Sequence, residues 1–131
     1  MSNAALERVL LVDDDRNVRR VTQLALEMVG GMKVRACESG AEAVAAAVEF
    51  RPQLVLLDVM MPDMDGPAVL SRLREQPDMS AVPVVFLTAR AQGEEIRQLR
   101  ALGALDVICK PFDPMTLAQT VKSIWDDSQR G

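Results

Sequence analysis

Short apolar runs alternate five times along this chain with longer stretches in which apolar side chains recur every three or four residues. The runs lie at about Arg8 to Val12, Lys33 to Cys37, Gln53 to Leu57, Val84 to Leu87 and Leu105 to Cys109. Those at 9–12, 54–57 and 84–87 are apolar throughout, which marks strands covered on both faces, the habit of parallel sheets. The first intervening stretch predicts a helix from Asn17 to Met28 with Val18, Val21, Ala25 and Met28 on its inner face, stopped by Gly30-Gly31. Ser39-Gly40-Ala41-Glu42 has the spacing of a capping box and starts a helix that ends near Phe50. Gly66-Pro67 opens a third helix carrying Val69, Leu70 and Leu73. A fourth, from Glu94 to Leu102, uses Ile96 and Leu99, and Asp113-Pro114 reads as the cap and first residue of a fifth that turns Leu117, Val121 and Ile124 inward. Strand and helix in strict alternation predict an α/β domain with a parallel sheet.

The strand ends carry the chemistry. Asp13, Asp14 and Asp15 follow the first run, Asp58 the third, Thr88 the fourth and Lys110 the fifth. In a parallel sheet these positions share one edge, so residues far apart in sequence meet in one cleft. Carboxylates crowded there repel by about 4 kcal/mol per close pair at an effective dielectric near 20, which makes a divalent cation the natural guest. Asp15 is positioned to cap the first helix, Asp63 and Asp65 belong to the turn after Asp58, and Gly66 suits backbone geometry that a Cβ resists.

Composition narrows the picture. The 131 residues make one domain with 49% hydrophobic residues, one Trp, three Phe and no Tyr, so Val, Leu, Ile, Ala and Met build the core. Most of the net charge of −4 comes from the strand-end aspartates, and no basic block suited to a phosphate backbone is present. Direct nucleic-acid binding is therefore disfavoured, and the arginines at 16, 19 and 20 read as the solvated side of a helix. No histidine is present, which excludes a histidine nucleophile, base or metal ligand in this chain. Cys37 and Cys109 sit in strand-like contexts without metal-ligand spacing and are expected as buried, unpaired thiols of a cytoplasmic protein. No apolar run approaches the length of a bilayer span, and no signal-peptide pattern precedes the first strand.

Taken together, LLVDDD, LLDVMMPDMDG, FLTAR and GALDVICKPF, in this order and separation, resemble the receiver domain of two-component response regulators. The likeness covers about Arg8 to Trp125, and residues 1–6 and 128–131 are expected as tails around a receiver spanning 7–127. It implies a flavodoxin-like, doubly wound, five-stranded sheet of order 2-1-3-4-5 with helices on both faces. It also implies roles: Asp58 as phosphoacceptor, Asp13 and Asp14 as the acidic pair that organises Mg²⁺, Met60 as donor of a backbone carbonyl to the metal, Thr88 as the hydroxyl that contacts the phosphoryl group, and Lys110 as its ammonium partner. Mn²⁺ is a plausible substitute for the metal. Lys110-Pro111 resembles a pair whose peptide bond is typically cis. The implied phosphodonor is a histidine kinase or histidine phosphotransfer protein docking near Arg16, Asn17 and Arg19 and near Pro111 and Phe112. The downstream output and any phosphorylation-linked dimer stay open, and no membrane partner is expected.

The chain departs from that pattern at Val107, where many receivers carry Tyr or Phe, so the ring that follows the hydroxyl residue inward is missing. The response is expected to pass through residues 89–102 instead. Small Ala89 leaves room above the site, and Met60 and Arg90 flank the path of attacking water without offering a general base, which predicts slow to moderate loss of the phosphoryl group. A phosphatase of the haloacid dehalogenase type would need an Asp two residues after Asp58, where Met60 stands. A flavin-phosphate site would need Gly, Ser and Thr donors where Asp13 to Asp15 stand. A receiver fold used only for docking remains as the third alternative.

Overall fold

A computed structural model describes residues 4–90 and 92–130. Five parallel strands, β1 (Arg8–Val12), β2 (Lys33–Cys37), β3 (Leu54–Asp58), β4 (Val84–Thr88) and β5 (Asp106–Cys109), form one sheet of order β2-β1-β3-β4-β5. Helices α1 (Arg16–Leu24), α2 (Gly40–Phe50), α3 (Gly66–Glu75), α4 (Gly93–Ala101) and α5 (Leu117–Arg130) cover both faces. The doubly wound order implied by the resemblance to receiver domains is the order observed. None of the described helices is long and apolar enough to cross a membrane.

Strand alternation divides the core. Leu10, Val12, Val55, Leu57, Val84 and Phe86 point to one face, where Ala43 and Ala47 of α2, Val69 and Leu73 of α3 and Leu99 of α4 close over them. Val9, Leu11, Leu54, Leu56, Val85 and Leu87 point to the other, against Leu26 and against Leu117, Val121 and Trp125 of α5. β1, β3 and β4 are interior strands, which explains why Val9–Val12, Leu54–Leu57 and Val84–Leu87 are apolar at every position, with polar residues only at the strand ends.

Several details differ from the sequence reading. α1 passes into a π-helical turn at Ala25–Val29, and the buried residues along this segment are Thr22, Ala25 and Leu26. Val21 is 45% and Met28 79% exposed, so the expected inner face is rotated. Thr22 enters the core because its hydroxyl donates to the Val18 carbonyl at 2.6 Å, and the π turn exchanges Met28 for Leu26. Cys37 is buried, but Cys109 is exposed, because it ends the edge strand β5. Both thiols are free. Regular α5 begins at Leu117, four residues after Asp113, whose carbonyl accepts from the Thr116 and Leu117 amides and whose carboxylate accepts from Met115.

The termini are tied to the domain. Gln53 accepts from the Glu7 and Arg8 amides at 2.7 and 2.8 Å and donates to the Ala5 carbonyl, and the Trp125 indole donates to the Ala4 carbonyl at 2.9 Å. Leu6 is buried, so residues 4–6 belong to the packed unit, and α5 carries the chain on through residues 128–130. Residues 1–3 and 131, at the outer ends of the expected tails, lie outside the described residues.

Gly66 is required by proximity and not by a left-handed backbone. A Cβ there would lie 2.7 Å from the Asp58 carbonyl oxygen, 2.8 Å from the Phe86 ring and 3.0 Å from the Val59 Cα. Gly93 has open space around it, with only Arg97 Nη1 at 3.9 Å. Gly66→Ala is therefore expected to cost about 1–3 kcal/mol in urea denaturation, whereas Gly93→Ala changes stability little. Equal effects of the two substitutions would contradict this packing.

Candidate phosphoryl and metal site

The C-terminal edge of the sheet gathers the strand-end residues. Asp13 directly follows β1, its amide extending the ladder to the Cys37 carbonyl at 3.1 Å, while Asp58 and Thr88 are the last residues of β3 and β4. Lys110 follows β5 and its amide donates to the Thr88 carbonyl at 2.8 Å. One carboxylate oxygen from each of Asp13, Asp14 and Asp58 lies within 4.8 Å of the others. Asp13 is fully buried, Asp58 is 6% and Thr88 4% exposed, and Asp14 opens to solvent.

Lys110 balances this cluster. Its Nζ donates to Asp13 Oδ2 at 2.9 Å and stands 3.2 Å from Asp58 Oδ1. The second Asp13 oxygen accepts from the Asp15 amide at 2.9 Å, and its carbonyl accepts from Arg19 Nη1 at 2.9 Å. Each Asp13 carboxylate oxygen thus has a hydrogen-bond donor, as a buried carboxylate requires. Asp58 has less support: burial, then the neighbouring Asp13 charge, outweigh the pull of Lys110 and push its carboxyl up to about 6. Burial opposes the Lys110 ammonium, but Asp13 and Asp58 together outweigh it and the pKa rises.

The surrounding loops hold the cluster in place. Asp15 caps α1, accepting from the Asn17 and Val18 amides, and Asp65 caps α3 through the Ala68 amide. Asp63 does more than its sequence position suggested: its two carboxylate oxygens face the Gly40 and Ala41 amides at 3.4 Å, at the start of α2. No local motif announces that contact, because its partners lie more than twenty residues away. The Asp13–Lys110 pair was likewise not expected from the sequence. The Lys110–Pro111 peptide is cis. Thr88 Oγ1 accepts from the Arg90 amide at 3.0 Å, which leaves its own O–H to donate into the cleft.

Residues 9–122 match the response regulator receiver domain family. The chain belongs to that family. Among its relatives, the transcriptional regulatory protein CseB of Streptomyces avermitilis is 39% identical over 116 residues, covering 88% of this chain and 48% of that protein. The DNA-binding dual master transcriptional regulator RpaA of a Synechocystis strain is 34% identical over 91% of this chain and 49% of its own length. The chain therefore spans about half the length of these curated relatives. Among solved structures, the Vibrio cholerae chemotaxis protein CheY4 superimposes with a TM-score of 0.84 at 32% identity, over 92% of this chain and 99% of that one.

In this receiver Val107 is half-buried and packs against the face that holds Leu99. Met60 and Arg90 are exposed at the mouth of the site, as is Ala89. Ala91, within the segment expected to carry the response, lies outside the described residues. An apolar groove of about 360 Å³ runs from Lys110 and Ala89 along Val18, Val21, Phe112 and Pro114. The outward turn of Val21, which the helical pattern did not predict, supplies one wall of it.

The raised Asp58 carboxyl has a thermodynamic consequence. Its native pKa lies above the ordinary value of 3.8, so the native state holds a proton that the unfolded chain releases between about pH 4 and 6. Asp58 thus lowers stability as pH rises through that window, and the full cost is present above it. In metal-free protein, Asp58→Asn is expected to raise unfolding free energy by about 2 kcal/mol at pH 7.5, with the gain fading toward pH 4. Urea denaturation at the two pH values measures this, and a variant less stable than wild type at pH 7.5 would contradict it.

Proposed function

We propose that this receiver accepts a phosphoryl group on the Asp58 carboxylate from the phosphohistidine of a histidine kinase or histidine phosphotransfer protein. The observation that carries the reading is the convergence of Asp13, Asp14 and Asp58 on one point with the Lys110 ammonium against two of them. Hard oxygen donors, mutual repulsion and an exposed Asp14 at the rim suit a Mg²⁺ ion, with Mn²⁺ as a substitute. Asp13, Asp14, Asp58 and the Met60 main-chain carbonyl would hold it, Asp13 through a water molecule. When bound, the ion supplies neutralisation of the charge that otherwise keeps an anionic donor from an anionic carboxylate.

The remaining work falls to the chain itself. Lys110 orients Asp58 before transfer and turns to a phosphoryl oxygen afterwards, remaining anchored to Asp13. Thr88 offers its hydroxyl proton to the arriving phosphoryl group, and that new bond draws on the loop joined to it through the Arg90 amide. With Val107 in place of a ring, residues 89–102 carry the response. Asp58 is both reagent and product, so the chain is a phosphoacceptor and not a turnover enzyme, and Met60 two residues on provides no acid or base for a phosphatase cycle. The domain of 7–127 acts in the cytoplasm on this reading, and the names of its relatives as transcriptional regulators support a transcriptional output downstream, without DNA contact by the receiver.

The apolar groove beside Lys110 fits the surface of the phosphodonor, with Asn17 on its α1 side and Pro111 and Phe112 opposite; Arg16 and Arg19 line the neighbouring cavity on α1 and are proposed to extend the contact. Three outcomes follow. Incubation with a small-molecule phosphodonor and Mg²⁺ adds the mass of one phosphoryl group to wild type and none to Asp58→Asn, as read by intact mass spectrometry; equal labelling of both would defeat the reading. Val21→Asp slows transfer from a phosphohistidine protein at least tenfold, about 1.4 kcal/mol, yet leaves small-molecule labelling unchanged. Met60→Asn combined with Arg90→Glu changes the decay rate of the phosphorylated protein, and unaltered decay would remove the assigned role of those positions.

A further inference from the structure

A second cavity, of about 410 Å³, opens between α1 and β2 and is walled by Arg16, Arg19, Arg20, Gln23 and Ala36. Asn17 also lines it, and the spacing of Arg16, Arg19, Arg20 and Gln23 places those four on one helical face. Three guanidinium groups therefore border one concavity on a chain of net charge −4. Among the described residues Arg16 and Arg20 have no carboxylate within ion-pair distance. Arg19 lies 3.8 Å from Glu38 and donates to the Asp13 carbonyl, Glu27 accepts from Gln23 at 3.1 Å, and the Asp15 carboxylate caps α1 through the Asn17 and Val18 amides. The chain thus keeps like charges one turn apart without neutralising them itself, an arrangement that costs a few tenths of a kcal/mol per pair unless an anion joins it.

We propose that this cavity binds a small anion bearing adjacent phosphate groups, the chemistry shared by inorganic pyrophosphate and a nucleoside diphosphate. Each guanidinium fork takes two oxygens, and the six terminal oxygens of two linked phosphate tetrahedra are enough to engage three forks, where a single carboxylate engages one. The volume falls in the range of small-ligand sites, whereas an acidic protein segment calls for a broad and flatter surface. Arg19 ties the cavity to the neighbouring cleft, since the guanidinium that would turn to the anion is the one now holding the Asp13 carbonyl. The inference does not depend on phosphoryl transfer at Asp58.

The test is an amide NMR titration of the full chain, freed of metal on a chelating resin, with pyrophosphate in one arm, ADP in a second and adenosine in a third. Pyrophosphate is expected to shift the Arg16, Arg20, Gln23 and Ala36 amides saturably with a Kd below about 1 mM, and the Asp13 to Asp15 amides with them as Arg19 moves. ADP equal to pyrophosphate means that the phosphates alone are read, tighter ADP means that the base adds contacts, and adenosine does not bind. Arg16→Ala with Arg20→Ala, both at exposed positions, weakens binding at least tenfold while circular dichroism and melting temperature stay at wild-type values; Arg97→Ala on α4 does not weaken it. Shifts that stay linear to about 10 mM, binding untouched by the double substitution, or adenosine binding as well as ADP would overturn the proposal. A polyglutamate peptide that binds where pyrophosphate does not would also overturn it and assign the arginines to a protein partner.

Discussion

Everything at the working edge of this receiver depends on one ammonium group placed against two carboxylates. Lys110 reaches Asp13 at 2.9 Å and Asp58 at 3.2 Å, and without it the sheet edge would hold three neighbouring acidic side chains, two of them buried. Two carboxylates at that separation cannot both stay ionised at little cost, and removal of the single cation would leave buried charge uncompensated. The division of labour follows. Asp13, held by Lys110 and the Asp15 amide, is the fixed charge, and Asp58, with its carboxyl pushed up to about 6, is the group left wanting a cation.

The sheet supplies the placement. Strand order β2-β1-β3-β4-β5 puts β3, with Asp58, between β1 and β4, so the acidic pair on one side and Thr88 on the other are its immediate neighbours. Lys110 begins three strand spacings from β1, about 14 Å, and reaches Asp13 only because its main chain stays bonded to Thr88 while its stem crosses the twisted edge. Packing beneath the site is correspondingly tight: the Asp58 carbonyl, the Val59 Cα and the Phe86 ring close on Gly66. The loop that runs from Asp58 to the start of α3 has no room there for a side chain.

Much of this was legible before coordinates, for a physical reason. Parallel strands buried on both faces must be apolar in their interior, so a charged residue at the end of such a run marks the strand end and the edge together, as Asp13 and Asp58 did; Lys110 ends the less buried edge strand β5 in the same way. Contacts set by tertiary geometry left no such mark. The Asp13–Lys110 pair crosses two intervening strands, Asp63 meets α2 from a distant loop, and Cys109 is exposed because β5 is an edge. Thr22 misled the helical pattern, since a hydroxyl bonded to its own helix is apolar enough for a core, and the π turn after Leu24 changed the phase on which Met28 was placed.

The charge arrangement is tested most directly by carboxyl ¹³C NMR titration of Asp58 in metal-free protein, for wild type and Asp13→Asn. A midpoint near 6 in wild type that falls when the Asp13 charge is removed is the predicted result. A midpoint at the ordinary value of 3.8, indifferent to Asp13, would show that Asp58 does not share its site with that charge and would contradict the account.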